Sequence, residues 1–280
     1  MIVLDAAATR ASLPMEDAIA SMRLAFGRDR EVPQRVQLGG SMFMPGRVGN
    51  QTGVKVVSLV PGNPVGLVAV FDQDGNAVGI VDAPTLTAIR TAAAAGLATD
   101  LLARPDASHL VMLGAGAMAP DQIQAVQAVR PIDRISVWSR SIARAEALAE
   151  TVGGRAVHDP AEAIRAADVI SSATPSTKPL FSAADLPDQI HINAVGAYTP
   201  EMIELPPELV RKAFVVVDDY EAAAAEAGDL LRADREPDLD MAGLLEAGQA
   251  AHGRWTVFKS VGIASQDIAA ATQALAAGGG

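Results

Sequence analysis

The residues with the plainest chemical meaning lie in one short stretch, His109–Ala119, HLVMLGAGAMA. An apolar strand runs into a Gly114-x-Gly116-x-x-Ala119 turn. At such a turn the first glycine makes the bend and the second lets backbone approach a pyrophosphate. A small third residue packs the following helix close to its strand. The helix then offers unpaired N–H groups and a partial positive charge to phosphate. Gly114, Gly116, Ala117 and Met118 are therefore expected to bind a dinucleotide. The next strand leads to Ser139-Arg140-Ser141. No carboxylate stands there to take a ribose 2′-hydroxyl, as an NAD site usually requires. Arg140, flanked by two hydroxyls, suits either a 2′-phosphate or a solvated helix start, and the phosphate reading favours NADPH over NADH.

Composition removes other chemistries. The chain of 280 residues has no cysteine, which excludes disulfides, thiolate metal sites and cysteine nucleophiles. His109, His158, His191 and His252 show no metal-ligand spacing, so no metal is expected. A net charge of −11 argues against nucleic acid and against an anionic membrane surface. No run of apolar residues is long enough to span a bilayer, and the N-terminal residues do not read as a secretory leader. The expected location is the cytoplasm, and the expected partner a small molecule.

The elements that must position these residues fall into two patterns. Up to residue 81 a helix over 14–30 is followed by short β-like stretches at 35–38, 41–44, 54–59, 65–71 and 77–81. Asp74-Gly75-Asn76 supplies a hairpin signal between the last two. An alanine-rich helix then runs from Pro84 towards Arg104-Pro105. Beyond it, strands at 109–113, 134–137, 156–157, 169–173, 191–195 and 213–217 alternate with helices, the pattern of a doubly wound parallel sheet. Residues 256–275 read as a helix with a short lead-in, returning to the N-terminal region.

Several motifs occur in order: RTAAA at 90–94, GAGA at 114–117, SSATP at 171–175, INAVG at 192–196, VD at 217–218 with AGD at 227–229, and FKSVG at 258–262. Together they resemble the ornithine cyclodeaminase/mu-crystallin family over residues 33–275. The family includes ornithine and lysine cyclodeaminases, ketimine reductases, an archaeal alanine dehydrogenase and mu-crystallin. The resemblance implies an α/β protein whose Rossmann domain is inserted into an α+β substrate and dimerisation domain, and a homodimer. The corresponding division is 1–104 plus 252–280 for the substrate domain and 105–251 for the Rossmann domain. It places Arg35, Lys55 and Arg90 around the substrate, with Lys55 catalytic. Thr91, Thr174, Val195 and Ser260 join the cofactor residues. Physical chemistry agrees for Lys55, since a lysine within Val54–Val57 must reach solvent or meet an anion. Asp218 has a rival reading as a cap for the segment after it and is left outside the site.

Two departures bear on the reaction. The ornithine-cyclising members carry an aspartate where Tyr198 stands, and a glutamate at the position that matches Met42. Both changes remove a carboxylate that a diamine substrate would want. The resulting expectation is an NADPH-dependent reductase of a cyclic imine carboxylate, such as Δ1-pyrroline-2-carboxylate or Δ1-piperideine-2-carboxylate. Three alternatives stay open: an ornithine cyclodeaminase, an alanine dehydrogenase-like enzyme, and a crystallin-like protein that binds NADPH and a small ligand without turnover.

Overall fold

The structure, a computed structural model, describes residues 1–248 and 255–279. These divide into two compact units, Met1–Ala94 with the chain from Ile263 onward, and Ala95–Gly262.

The first unit contains a seven-stranded sheet built from β1 (Ile2–Leu4), β2 (Arg30–Glu31), β3 (Val36–Leu38), β4 (Ser41–Val48), β5 (Gln51–Ser58), β6 (Gly66–Phe71) and β7 (Ala77–Asp82). The order is β1-β7-β6-β5-β4-β2, with β3 also paired to β4. All pairs are antiparallel except β1 with β7. The expected hairpin closes β6 to β7, where Asp72 Oδ1 accepts the amides of Asp74 and Asn76. The C-terminal helix Ala264–Gly278 lies on one face of this sheet, and the helix Met15–Ala25 packs against that helix. Three glycines let the C-terminal helix come close. A Cβ on Gly46 would meet that of Ala264 at 3.0 Å, one on Gly53 would meet Ile268 at 3.2 Å, and one on Gly79 would meet Leu275 at 2.4 Å.

The second unit contains β8 (His109–Leu113), β9 (Arg134–Trp138), β10 (Arg155–Ala156), β11 (Val169–Ser172), β12 (Ile190–Ala194), β13 (Phe214–Val217), β14 (Leu239–Asp240) and β15 (Trp255–Lys259). The order is β10-β9-β8-β11-β12-β15-β13-β14, with every pair parallel. This is a Rossmann-like sheet. Its strand order reverses between β8 and β11, the place where such folds take ligands at the carboxyl ends of the strands. Val111, Leu113, Ile170, Ile192, Val215 and Val257 form the core of one face, and Leu110, Met112, Ile135, Val137 and Val169 that of the other. Strands buried on both sides explain the unbroken apolar runs in the sequence.

The seams differ from the sequence reading. The first falls inside the helix Ala83–Leu102, not after residue 104. The reason is that Arg130 ties the end of this helix to the second unit, donating to the carbonyls of Thr99, Asp100 and Ala103 at 3.0, 2.7 and 2.9 Å. The second seam falls at 262/263. The supposed lead-in to the C-terminal helix is β15, a strand of the parallel sheet between β12 and β13. The expected boundary at 251/252, and His252 with it, lies outside the described residues.

Candidate active site

Lys55 is placed by β5, in register with Met44 of β4 and Val68 of β6. Those partners are buried, so this row of side chains faces the C-terminal helix. The helix answers with Asp267, fully buried. Its Oδ2 lies 2.8 Å from Lys55 Nζ, and its Oδ1 2.9 Å from Arg90 Nε on the helix Ala83–Leu102. Arg90 also donates through Nη1 to Gln266 Oε1 at 2.6 Å. Gln266 Oε1 accepts a second bond, from the Ile263 amide at 3.1 Å. Two donors of Arg90, expected for the substrate, are thus already engaged within the protein. Its Nη2 has no partner among the described residues.

The electrostatics follow from burial and charge count. Burial lowers the Lys55 ammonium from its usual 10.5 to about 8, with Asp267 opposing and Arg90 and Arg35 assisting. Arg35 is half-buried just ahead of β3 and adds its charge to the same group. Against the cost of burial, Arg90 and Lys55 hold the Asp267 carboxyl below the ordinary aspartate range. One carboxylate therefore pairs with two cations, and the Lys55–Asp267–Arg90 cluster carries surplus positive charge. Met42 sits on the same sheet face as Lys55, paired with Val57, and brings no carboxylate to it. Thr91 follows Arg90 in the first unit and is buried.

In the second unit Gly114 ends β8 at φ +116°, a conformation open mainly to glycine, and a Cβ there would press on the Ala173 carbonyl at 2.9 Å. Gly116 has open space where its Cβ would be, and with Ala117 it is exposed. The helix Ala119–Val129 begins immediately after Met118. At the end of β9, Arg140 and Ser141 are exposed, with Ser139 half-buried beside them. Arg140 forms no ion pair or hydrogen bond among the described residues, and no carboxylate stands at 139–141. A glycine turn, a free helix start and an unpaired arginine fit a nicotinamide dinucleotide.

Thr174 and Val195 follow the adjacent strands β11 and β12, and a buried carboxylate unknown from the sequence reading braces both loops. Glu204 accepts from the Thr174 amide at 2.7 Å, the Thr174 hydroxyl at 2.9 Å, the Gly196 amide at 2.8 Å and the Ala197 amide at 3.2 Å. Burial pushes the Glu204 carboxyl up, and Lys259 opposes that shift. Lys259 in turn pairs with Asp229 at 3.0 Å and donates to the Ala197 carbonyl at 2.5 Å. Asp218 corrects the capping expectation. It is Asp219 that caps the next helix, whereas Asp218 Oδ2 accepts from the Ser260 hydroxyl at 2.9 Å and the amides of Val261 and Gly262 at 2.9 and 2.6 Å. Ser260 is buried with its hydroxyl held there. Asp267 left one signal in the sequence: it interrupts the apolar stripe of Ala264, Ile268, Ala271 and Leu275.

A parallel sheet of this order with such a turn, in a chain whose other unit holds a buried cationic cluster, defines a nicotinamide-type oxidoreductase fold. The profile of the ornithine cyclodeaminase/mu-crystallin family matches residues 14–275. The chain belongs to this family. It is 38% identical to a Δ1-pyrroline-2-carboxylate reductase of Bacillus cereus, over 77% of this chain and 74% of that protein. It is 34% identical to the ketimine reductase mu-crystallin of Mus musculus, over 76% and 69%. A solved structure of Thermococcus litoralis Δ1-pyrroline-2-carboxylate reductase, in complex with NADH and L-proline, superposes with a TM-score of 0.91 at 27% identity, covering 99% of this chain and 97% of that one.

Proposed function

We propose that the protein reduces a small cyclic imine carboxylate, of the Δ1-pyrroline-2-carboxylate or Δ1-piperideine-2-carboxylate kind, to the cyclic amino acid, with NADPH preferred over NADH. The observation that carries this reading is the buried Lys55–Asp267–Arg90 cluster with Arg35 nearby. Its surplus positive charge suits a substrate bearing one carboxylate and no second amine. The relatives named as reductases of such imines support the same class.

Bound at the glycine turn, the nicotinamide dinucleotide supplies a hydride. Gly114, Gly116, Ala117 and Met118 present backbone to its phosphates, and Arg140 with Ser139 and Ser141 takes the 2′-phosphate. Arg35 and the free Nη2 of Arg90 hold the substrate carboxylate. Lys55, lowered to about 8 by burial, exchanges a proton near neutral pH and keeps the imine nitrogen protonated. The C=N carbon gains the hydride, the nitrogen keeps its proton, and the π pair becomes the amine lone pair. Asp267 fixes the Lys55 ammonium in place.

We further propose a homodimer. The sheet face opposite the C-terminal helix carries Val3, Phe43, Val54, Val56, Leu67 and Ile80, and Val3 is 66% exposed. A second copy of this face would cover it. The test of the chemistry is direct: NADPH oxidation should proceed with Δ1-pyrroline-2-carboxylate, and ornithine should not be converted to proline. Ornithine cyclisation without imine reduction would reverse the assignment.

A further inference from the structure

The amide of Gln266 has one corner used and one corner orphaned. Gln266 is fully buried. Its Oε1 takes Arg90 Nη1 at 2.6 Å and the Ile263 amide at 3.1 Å. Two donors on one atom fix which corner is oxygen, so the amide cannot flip without losing both bonds. The other corner, Nε2, has no partner among the described residues. A buried donor left unmade costs free energy, and such groups in native proteins call for an explanation. Here the neighbours supply one. The same residue is bonded to Arg90, and the next residue is Asp267, which pairs with both Arg90 and Lys55. The first turn of the helix Ala264–Gly278 adds its partial positive charge. An anionic oxygen meets every one of these features.

We propose that Gln266 binds substrate: its Nε2 donates to the carboxylate of the molecule held at the Lys55–Asp267–Arg90 cluster. This rests on the reading of that cluster as the site of an imine carboxylate. Gln266 then selects for the carboxylate rather than for the C=N bond, and its contribution appears in binding rather than in turnover.

The decisive variant is Gln266→Glu, which keeps Oε1 for Arg90 and Ile263 but replaces the donor by an acceptor. With Δ1-pyrroline-2-carboxylate, KM should rise about tenfold or more, the scale of one charge-assisted hydrogen bond. Reduction of Δ1-pyrroline, which lacks the carboxylate, should fall less than reduction of the carboxylate substrate, and NADPH affinity should stay within about twofold. Calorimetric affinity for L-proline should fall in parallel with the KM change. Unchanged KM and L-proline affinity would overturn the inference, as would equal losses on both imines, the mark of a packing role. Should the variant not fold, selective ¹⁵N-glutamine labelling of the unaltered protein replaces it. Saturating L-proline should shift the Gln266 side-chain signal, and an unmoved signal, or no L-proline binding, would overturn the inference. An unaltered protein that binds L-proline but reduces neither imine defeats the functional reading while leaving this one in force.

Discussion

Lys55 holds a charge where charge is costly, and the neighbours that permit it also tune it. Because burial lowers its pKa to about 8, the ammonium form is present below that value and lost above it. If the proton on Lys55 serves imine reduction, kcat/KM falls about tenfold per unit as pH rises past about 8. Lys55→Met removes that limb of the profile and lowers turnover by about 10²–10⁴, while NADPH affinity stays within about twofold. A variant with unaltered turnover would remove Lys55 from the chemistry. Arg140 makes a separate claim. Losing one charge-assisted contact of about 1.5–3 kcal/mol should weaken NADPH binding about ten- to a hundredfold in Arg140→Ala and leave NADH binding unmoved. Fluorescence titration of both cofactors checks this, and equal affinities in the unaltered protein would contradict it.

The elements show why some of this was legible in sequence and some was not. β8 has the bounds read from the sequence, because a strand buried on both faces and ended by glycine has a distinct signature. The turn residues were legible for the same reason. β15 was misread because five residues leading into an alanine-rich helix look like that helix's start, and only pairing between β12 and β13 reveals the strand. Asp267 and Glu204 are not singled out by the sequence, and the pairing of Asp229 with Lys259, which lie in the AGD and FKSVG motifs, is not legible there either. Each is a buried charge satisfied by partners from other elements, and apart from the break Asp267 makes in its helix's apolar stripe, nothing local marks such a residue. The glycines at 46, 53 and 79 were equally silent, though their lack of side chains is what brings Asp267 against Lys55. Gly53→Ala should therefore prise the C-terminal helix from the sheet, where the added Cβ would lie 2.5 Å from the Ala69 carbonyl. Overpacking of this kind costs about 1–3 kcal/mol. Urea denaturation measures it, and imine reduction should fall as well, since the Lys55–Asp267 pairing is disturbed. Full stability and full activity in that variant would show that the close approach is dispensable.

On the scale of the whole molecule, stability should depend on pH through one buried imidazole. His191 bonds Thr256 at 3.0 Å and Asn193 at 3.1 Å, and burial lowers it to about 3 despite Asn193. In the unfolded chain it takes a proton near pH 6.5. The unfolded state thus binds more protons below that pH. The contribution is whole above about 6.5 and is lost as pH falls towards about 3, by up to about 1.4 kcal/mol per unit. Melting curves of His191→Gln should show a shallower decline between pH 6.5 and 4 than those of the unaltered chain, and parallel declines would refute the assignment. Assembly is the other molecular property. Light scattering should give twice the chain mass of 28.8 kDa. Leu67→Lys, on the open sheet face, should shift the population towards the single chain.

The measurement closest to the centre of the account sets cyclic imines against ornithine in one assay with purified protein. With NADPH, Δ1-pyrroline-2-carboxylate or Δ1-piperideine-2-carboxylate should be reduced at a rate that collapses in Lys55→Met, and ornithine should give little or no proline. The reasons are the surplus positive charge of the Lys55–Asp267–Arg90 cluster and the absence of a carboxylate at Tyr198 and Met42. Efficient conversion of ornithine to proline without comparable imine reduction, or NADPH binding with no turnover of any imine, would contradict it.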